Sequence, residues 1–133
     1  MTDVSVREAT VPELPDVLNV VDGAMLDVDS GRLRGAIDRG AVLVAAAGER
    51  GDERAAESGR IVGALVLDGE EITAVAVRRR RRGQGIGTAL VAAAADRRER
   101  LVAEFDPRVK PFYASLGFDI EPIPGNDRLR GRR

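Results

Sequence analysis

The segment from residue 72 to residue 90 carries the residues whose types and spacing could do chemistry. An apolar stretch typical of a strand leads into five consecutive arginines at 78–82, then into Gly83-Gln84-Gly85-Ile86-Gly87 and an alanine-rich helix. A helix N-terminus presents unpaired N–H groups and a partial positive charge, and glycines let the backbone close around a phosphate. The segment therefore predicts a phosphate-binding turn, although the same glycines would also suit a strand-to-helix turn that binds nothing.

The composition narrows the chemistry that this chain can perform. It contains no Cys and no His among its 133 residues. Thiolate nucleophiles, histidine-based triads and disulfide frameworks are therefore excluded, and the commonest metal ligands are missing, so we expect no metal site. Carboxylates, hydroxyls, the single tyrosine, the arginines and the backbone are what remain for catalysis or binding.

Two familiar phosphate-binding motifs do not fit the glycine-rich turn. A P-loop ends in Gly-Lys-Ser/Thr, and no Lys stands in this turn. A dinucleotide-binding G-x-G-x-x-G/A motif counted from Gly83 meets Thr88 at its last position, and counted from Gly85 it meets Leu90. Glu104 does stand near the position of a ribose-binding acid, but that motif follows its strand directly, whereas five arginines intervene here.

A third pattern, R-x-x-G-x-G, fits residues 82–87 without exception, and on this motif the sequence resembles the GNAT N-acetyltransferase superfamily. Upstream, residues 71–77 (EITAVAV) are similar to the fourth strand of that family. Downstream, residues 111–118 (PFYASLGF) are similar to its second signature, P-F-Y-x-x-x-G-F. The strong resemblance covers residues 71–118, and two signatures at the family's spacing are far more specific than one glycine motif.

The resemblance implies a single α/β domain over residues 1–133 with the GNAT acyl-CoA N-acyltransferase fold, a mixed and mostly antiparallel sheet with helices on both faces. It implies acetyl-CoA, or another acyl-CoA, as cosubstrate, with the diphosphate on the N–H groups of the turn and the pantetheine arm along the fourth strand. Among the arginines at 78–81, any one could reach the 3′-phosphate or face solvent. The residues implied to bind the cosubstrate are Val75, Ala76, Val77, Arg82, Gly83, Gln84, Gly85, Ile86, Gly87 and Thr88.

The resemblance also implies direct acetyl transfer to a primary amine, without a covalent intermediate. The Val75 N–H would stabilise the oxyanion, and Tyr113 matches the family's usual general acid, although it would equally suit a core aromatic position. Glu71 matches a carboxylate that often acts as the general base, and it would equally suit an exposed site after the Asp68-Gly69 turn. Glu104 is a weaker candidate for the base.

The elements that must position these residues follow from hydrophobic periodicity. The periodicity predicts a mixed α/β order, with antiparallel strands first and a strand–helix–strand unit later. Thr10 is a candidate N-cap, residues 48–59 read as an exposed hairpin loop, and residues 127–133 are too short and polar to assign. The predicted strands are 4–7, 41–47, 61–67, 71–77, 101–105 and 118–123, and the predicted helices are 12–23, about 31–40, 86–100 and 107–116.

Charge is distributed unevenly and keeps two other function classes open. Residues 1–77 carry 7 arginines against 15 acidic residues, a net −8, whereas residues 78–133 carry 14 basic against 7 acidic residues, a net +7. Such asymmetry indicates an anionic partner for the second half. One alternative is a regulatory module that binds acyl-CoA without turnover. Another is a nucleic-acid-binding protein, which is disfavoured because stacking aromatics are absent from the arginine run.

The acceptor amine, of a small molecule or a peptide, is the least determined part of the interpretation. In the family it is selected by the first helices and their loop, here residues 23–30, together with the C-terminal strands. The two acids of the loop would favour a cationic acceptor. Only ten residues follow Ile123, so a seventh strand would be either short or supplied by a partner subunit, and the second case would make the protein a homodimer. No apolar run reaches the roughly 18 residues that span a bilayer, and no signal peptide is evident, so we expect a cytoplasmic protein.

Overall fold

The computed structural model describes residues 2–23, 30–49 and 60–133. Their strands are β1 (Thr2–Glu8), β2 (Val42–Glu49), β3 (Arg60–Asp68), β4 (Glu71–Val77), β5 (Val102–Phe105), β6 (Asp119–Pro122) and β7 (Leu129–Arg132). Their α-helices are α1 (Leu14–Gly23), α2 (Ser30–Asp38), α3 (Ile86–Arg97) and α4 (Lys110–Ser115), and short 3₁₀ turns cover Val11–Glu13, Arg79–Arg81 and Pro107–Val109.

The strands form a single seven-stranded sheet in the order β1-β2-β3-β4-β5-β7-β6. All neighbouring strands are antiparallel except β4 and β5, which are parallel. This confirms the predicted mixed, mostly antiparallel sheet. Each of the six predicted strands and four predicted helical regions is present, with ends that differ by a few residues.

Helices cover both faces of the sheet at its centre. Residues 61–67 of β3 are buried without interruption, which requires cover on both sides because successive side chains point to opposite faces. Helix α3 lies against the face of Gly63, where an added Cβ would come within 3.0 Å of Ile86 Cγ2 and 3.2 Å of Leu90 Cδ1. The lack of a side chain at Gly63 is therefore what lets α3 approach the sheet.

The start of the first helical region has the cap that the sequence predicts. The Thr10 N–H donates to Glu13 Oε1 at 2.9 Å, and the Glu13 N–H donates to the Thr10 carbonyl at 2.9 Å. Arg7 on β1 holds the same carboxylate through two hydrogen bonds of 2.7 and 2.6 Å. These bonds lower the pKa of Glu13 to about 2 and fix β1 to the helix that follows.

The C-terminal region differs from the prediction in two places. The helix predicted over 107–116 is a 3₁₀ turn followed by the short α4. Pro111 comes four residues after Pro107 and has no N–H with which to continue an α-helical hydrogen-bond pattern from it. Residues left unassigned at 127–133 contain β7, which inserts between β5 and β6. Its arginines pair across the sheet, Arg130 Nη2 with Glu104 Oε1 at 2.7 Å and Arg132 Nη1 with Glu121 Oε1 at 2.8 Å. The chain thus supplies its own seventh strand, which removes the stated reason for expecting a homodimer.

Two predicted features fall outside the described residues. They are the acceptor-selecting loop, of which 24–29 are not described, and most of the hairpin loop at 50–59. Within the described ranges, no helix combines the length and apolarity needed to cross a membrane.

Gly63→Ala tests the close approach of α3 to the sheet. We expect it to lower the free energy of unfolding by about 1–3 kcal/mol, because a Cβ forces Ile86 and Leu90 to move in a packed core. Urea denaturation measures the loss. The control is Gly35→Ala in α2, where the added Cβ meets only the end of the exposed Arg39 side chain, at 3.4 Å from Nη1, and helix propensity improves by up to about 1 kcal/mol. Equal stabilities of the two variants would contradict the packing argument.

Candidate functional site

The site is built around the place where β4 and β5 part. Only Glu71 with Val102 and Ile72 with Ala103 are paired between these two strands. Beyond Ile72, five more residues of β4 continue along β3 while β5 diverges. The edge of β4 that faces β5 therefore carries backbone groups without a strand partner, and the two strands enclose an opening.

The pairing of β4 with β3 determines which backbone groups point into this opening. In an antiparallel ladder, residues alternate between bonding the neighbouring strand and pointing away from it. The Arg78 N–H donates to the Val62 carbonyl at 2.8 Å, in the register that pairs Ala76 with β3. Ala76 accordingly bonds β3, and the N–H and C=O groups of Val75 and Val77 point into the opening.

The glycine-rich turn lies at the end of β4 and starts α3. Gly83 and Gly85 have φ values of +79° and +80°, a backbone conformation that favours glycine, and Gly85 is the N-cap of the helix. A Cβ on either residue would meet nothing within 4 Å, so the turn is open on that side. Gln84 and Thr88 are exposed, whereas Ile86 is buried against the sheet and Gly87 is half-buried.

Arginine side chains flank this turn, and two of them make hydrogen bonds to the backbone. The Arg82 Nε donates to the Val77 carbonyl at 3.3 Å, which places the motif arginine at the outer end of the opening. The Arg78 Nε donates to the Ile61 carbonyl at 2.7 Å, and Arg78 is half-buried. The region next to the turn is therefore electropositive, with part of that charge fixed in position.

Tyr113 lies inside a cluster that contains all four aromatic residues of the chain. Its ring stacks on Phe105 at a centroid distance of 4.2 Å, and it meets Phe112 and Phe118 edge-on at 5.0 and 5.2 Å. Phe105 is the last residue of β5. The cluster thus holds Tyr113 against the end of the strand that diverges from β4.

The same cluster connects Tyr113 to the glycine-rich turn. A Cβ on Gly87, in the first turn of α3, would come within 3.2 Å of the Phe112 ring and 3.9 Å of Val77 Cγ2. Phe112 is the residue before Tyr113 on α4. The structure therefore brings the turn, the end of β4 and the helix that carries Tyr113 close together.

The Tyr113 side chain is buried, and its hydroxyl bonds no other described residue. The residue is 7% exposed, and burial raises its pKa to about 12. The Tyr113 hydroxyl has no hydrogen-bond partner among the described residues, and its oxygen is not fully buried. A phenol that stays protonated and is not bonded to the protein is suited to donate a proton or a hydrogen bond.

Carboxylates lie at the closed end of the opening, where β4 and β5 are still paired. Glu71 is exposed at the start of β4. Glu104 on β5 is bound by Arg130, and hydrogen bonding to Glu104 is the main cause of the raised pKa of Arg130, with Glu121 and Glu71 contributing through their charges. Of the two candidate bases, Glu104 is therefore occupied by a guanidinium, and Glu71 lies close by without such a bond among the described contacts.

Sequence reasoning missed Arg130 because its segment was left unassigned. Arg130 stands opposite Glu104 on β5 and opposite Glu121 on β6, so it joins three strands beside the opening. The alternation of Leu129, Arg130 and Gly131 was the available signal, but it spans only one side-chain repeat. Its partners come from segments that lie far apart in sequence.

A large open pocket of about 960 Å³ adjoins the opening on the side of α2. It is lined by Arg32, Arg39 and Asp68, and it reaches Thr73, the first residue of β4 beyond the last pair with β5. Among the described residues, no group of three or more acidic side chains could hold a metal ion.

Solved structures share this fold at low sequence identity. A GCN5-related N-acetyltransferase from Kribbella flavida has a TM-score of 0.71 and 18% identity, over 91% of this chain and 34% of that chain, so this chain spans about a third of that protein. The PaiA N-acetyltransferase from Thermoplasma acidophilum, solved in complex with coenzyme A, has a TM-score of 0.73 and 13% identity over 98% of each chain. Rv2747 from Mycobacterium tuberculosis, solved in complex with CoA, has a TM-score of 0.70 and 25% identity over 92% of this chain and 76% of that one.

The family can be assigned from the amino-acid sequence. No curated protein matches the chain. Residues 38–120, which are more than half of it, match the sequence profile of the acetyltransferase (GNAT) domain. This segment contains the diverging strands, the glycine-rich turn and the aromatic cluster described above. The chain belongs to the GNAT acetyltransferase family.

Proposed function

We propose that this protein is an N-acetyltransferase that moves the acetyl group of acetyl-CoA to a primary amine by direct transfer. The observation that carries the proposal is the unpaired edge of β4, where Val75 and Val77 present backbone N–H and C=O groups to an opening that ends at a positive-φ glycine turn. An amide-bearing chain ending in a diphosphate matches both parts, since it can pair with a strand edge and place its phosphates on a helix N-terminus.

The proposal extends to the cosubstrate contacts. The N–H groups of residues 83–88 would hold the diphosphate, with Arg82 beside them, and the pantetheine amides would pair with Val75 and Val77. Ala76 would contribute packing, because its own N–H bonds β3. Support comes from the relatives from Thermoplasma acidophilum and Mycobacterium tuberculosis, which were both solved with coenzyme A.

In the proposed reaction, the amine nitrogen attacks the thioester carbonyl while Glu71, directly or through water, takes its proton. The Val75 N–H, which faces the opening, stabilises the oxyanion of the tetrahedral intermediate. The C–S bond then breaks, and Tyr113 donates a proton to the departing sulfur. The products are an N-acetyl amine and the free thiol of CoA, so no covalent enzyme intermediate forms.

Calorimetric titration with CoA, followed by an acetylation assay over a broad panel of amines, tests the proposal. We expect heat on titration and turnover of at least one amine. Heat without turnover would favour the regulatory acyl-CoA-binding module, and the absence of any heat would contradict both readings. Salt-dependent binding of random duplex DNA in the absence of CoA binding would favour a nucleic-acid-binding protein.

Gly85→Ala tests the role of the glycine-rich turn in holding the diphosphate. An alanine is strained at φ +80° by about 1–3 kcal/mol, so the turn shifts and its N–H groups lose their common direction. We expect the Kd for CoA to rise about tenfold by calorimetry.

The matched control is Gly125→Ala, in the turn between β6 and β7. Gly125 has φ +87° and the same empty surroundings, so the backbone strain is comparable. It should lose similar stability and keep wild-type CoA affinity. Equal weakening of CoA binding in both variants would mean that the effect comes from general destabilisation.

Tyr113→Phe tests the proposed general acid. Since the hydroxyl bonds no described residue and the ring contacts are kept, we expect unchanged thermal stability and CoA affinity, with kcat reduced about 100-fold. In the wild type, the pKa of about 12 keeps the phenol protonated, so no alkaline loss of kcat should occur at pH values up to about 10.5. A variant with wild-type kcat, or an alkaline loss centred near pH 10, would remove Tyr113 from the mechanism.

Glu71→Gln tests the proposed base against its exposed neighbour, Glu70→Gln. Each substitution removes one exposed carboxylate at or next to the start of β4, so the two variants change the net charge equally. We expect kcat/KM to fall about 100-fold for Glu71→Gln alone and to recover partly at high pH, where the amine is already neutral. Steady-state rates over a pH series measure this, and equal losses in the two variants would count against Glu71.

A further inference from the structure

The pocket between α2 and the β3–β4 hairpin has basic residues on one wall and an acidic residue on the other. The helical side contributes Arg32 and Arg39, and the hairpin contributes Asp68 at the end of β3. The helical pattern extends to Arg39, because its N–H donates to the Gly35 carbonyl at 3.1 Å. Seven residues make about two helical turns, so both arginines lie on the side of α2 that faces this pocket of about 960 Å³.

The Arg39 side chain lies across Gly35, one turn back along the helix. A Cβ on Gly35 would come within 3.4 Å of Arg39 Nη1, and Gly35 itself lines the pocket. Both Arg39 and Asp68 are exposed, and the ion pairs found among the described residues involve neither of them. The Arg39 guanidinium therefore stands at the pocket with donors that no described carboxylate holds.

The acidic wall continues to the base proposed for the reaction. Asp68 is paired with Glu71 between β3 and β4, and directly paired residues project their side chains from the same face of a sheet. The basic wall stands at the same end of the sheet, because the Leu67 N–H donates to the carbonyl of Ala41, two residues after Arg39. Strands β2 and β4 are two spacings apart, or about 10 Å, so a small molecule in the pocket can contact both walls.

We propose that the acceptor is a free amino acid, whose carboxylate binds Arg39 while its amine lies beside Glu71. This inference rests on the proposed acetyltransferase function and names the substrate class for it. A guanidinium binds a carboxylate through two parallel hydrogen bonds. The carboxylates of Asp68 and Glu71 attract the ammonium group that the acceptor carries before it loses a proton. An amino acid has both charges, whereas a simple amine leaves the basic wall without an anion.

The same class of acceptor agrees with the sequence, in which the acids of the loop at residues 23–30 favour a cationic group. In the transfer, the ammonium group gives a proton to Glu71 and the amine nitrogen bonds to the acetyl carbon. The C–S bond breaks, and the sulfur receives a proton from Tyr113 and leaves as the thiol of CoA. The product is an N-acetyl amino acid that keeps its carboxylate on Arg39.

The experiment compares the wild type with Arg39→Gln, Arg39→Lys and the control Arg34→Gln, an exposed arginine of α2 that does not line the pocket. Acetylation rates are measured with each common amino acid and with its α-amide, which has the same size and a neutral end. We expect kcat/KM of the wild type and the control to be about tenfold higher for at least one amino acid than for its amide. Arg39→Gln should lose this preference through a raised KM, and Arg39→Lys should keep part of it.

Calorimetric titration of the CoA-loaded protein with the same compounds separates this inference from the proposed function, because it needs no turnover. Tighter binding of an amino acid than of its amide, lost in Arg39→Gln and kept in Arg34→Gln, supports the amino-acid site. If this binding occurs and no compound is acetylated, the site stands and the acetyl transfer is contradicted.

Other results overturn the inference. Equal acetylation of amides or simple amines and of amino acids by the wild type would do so and would leave the acetyltransferase function intact. Equal losses in Arg34→Gln and Arg39→Gln would show an effect of diffuse charge. A preference for acidic peptides over free amino acids, lost in Arg39→Gln, would replace the inference with a peptide acceptor. The absence of both binding and turnover of every amino acid would reject it outright.

Discussion

The structure depends on the early separation of β4 from β5. Two paired positions join these strands, and the next residues of β4 have backbone groups that no strand satisfies. An unsatisfied buried N–H or C=O costs about 1–3 kcal/mol, so such an edge persists only if it meets water or a ligand. The other edge of β5 is fully used, because all four of its residues pair with β7. Since β7 holds β5 on that side and Phe105 is stacked on Tyr113, β5 is kept away from β4 and the opening is maintained.

The aromatic residues lie together at one end of the hydrophobic core, beside the opening between β4 and β5. The buried core under α1 and α2 is aliphatic, whereas the three phenylalanines and the tyrosine gather at the end of β5. Glycines make room for them: a Cβ on Gly87 would meet Phe112 at 3.2 Å, and one on Gly131 would meet the rings of Phe105 and Phe118 at 3.1 Å. The cluster therefore joins α3, α4, β5 and β7 around Tyr113. Aromatic stacking contributes stability here, and it also fixes the orientation of the one phenol.

Local patterns were sufficient for the parts of the fold whose partners are close in sequence. The apolar stretches that form β2 to β4 and the glycine spacing before α3 predicted these elements well. The residues and the pairing of the short β7 could not be predicted, because its arginines find their carboxylates on β5 and β6 only after folding. Similarly, nothing in the sequence distinguishes the backbone direction of Ala76 from that of Val75 and Val77. The register with β3 shows that the backbone groups of Ala76 point away from the opening. The sequence therefore places the candidate residues on neighbouring elements, whereas the directions of their backbone groups follow only from the pairing of β4 with β3.

The environment of Tyr113 limits how a phenol can assist the departure of a thiolate. A simple thiol has a pKa near 8.5, so a phenol of pKa about 12 transfers its proton to a thiolate at a cost of about 5 kcal/mol. The partial positive charge of the nearby α3 N-terminus would reduce this cost, but a diphosphate bound there would offset it. Tyr113 would therefore act first as a hydrogen-bond donor to the sulfur as negative charge develops. A hydrogen bond to a charged group contributes about 1.5–3 kcal/mol, which corresponds to roughly a 10- to 150-fold rate effect. The hydroxyl can make this contribution because burial keeps it protonated and no described residue competes for its proton.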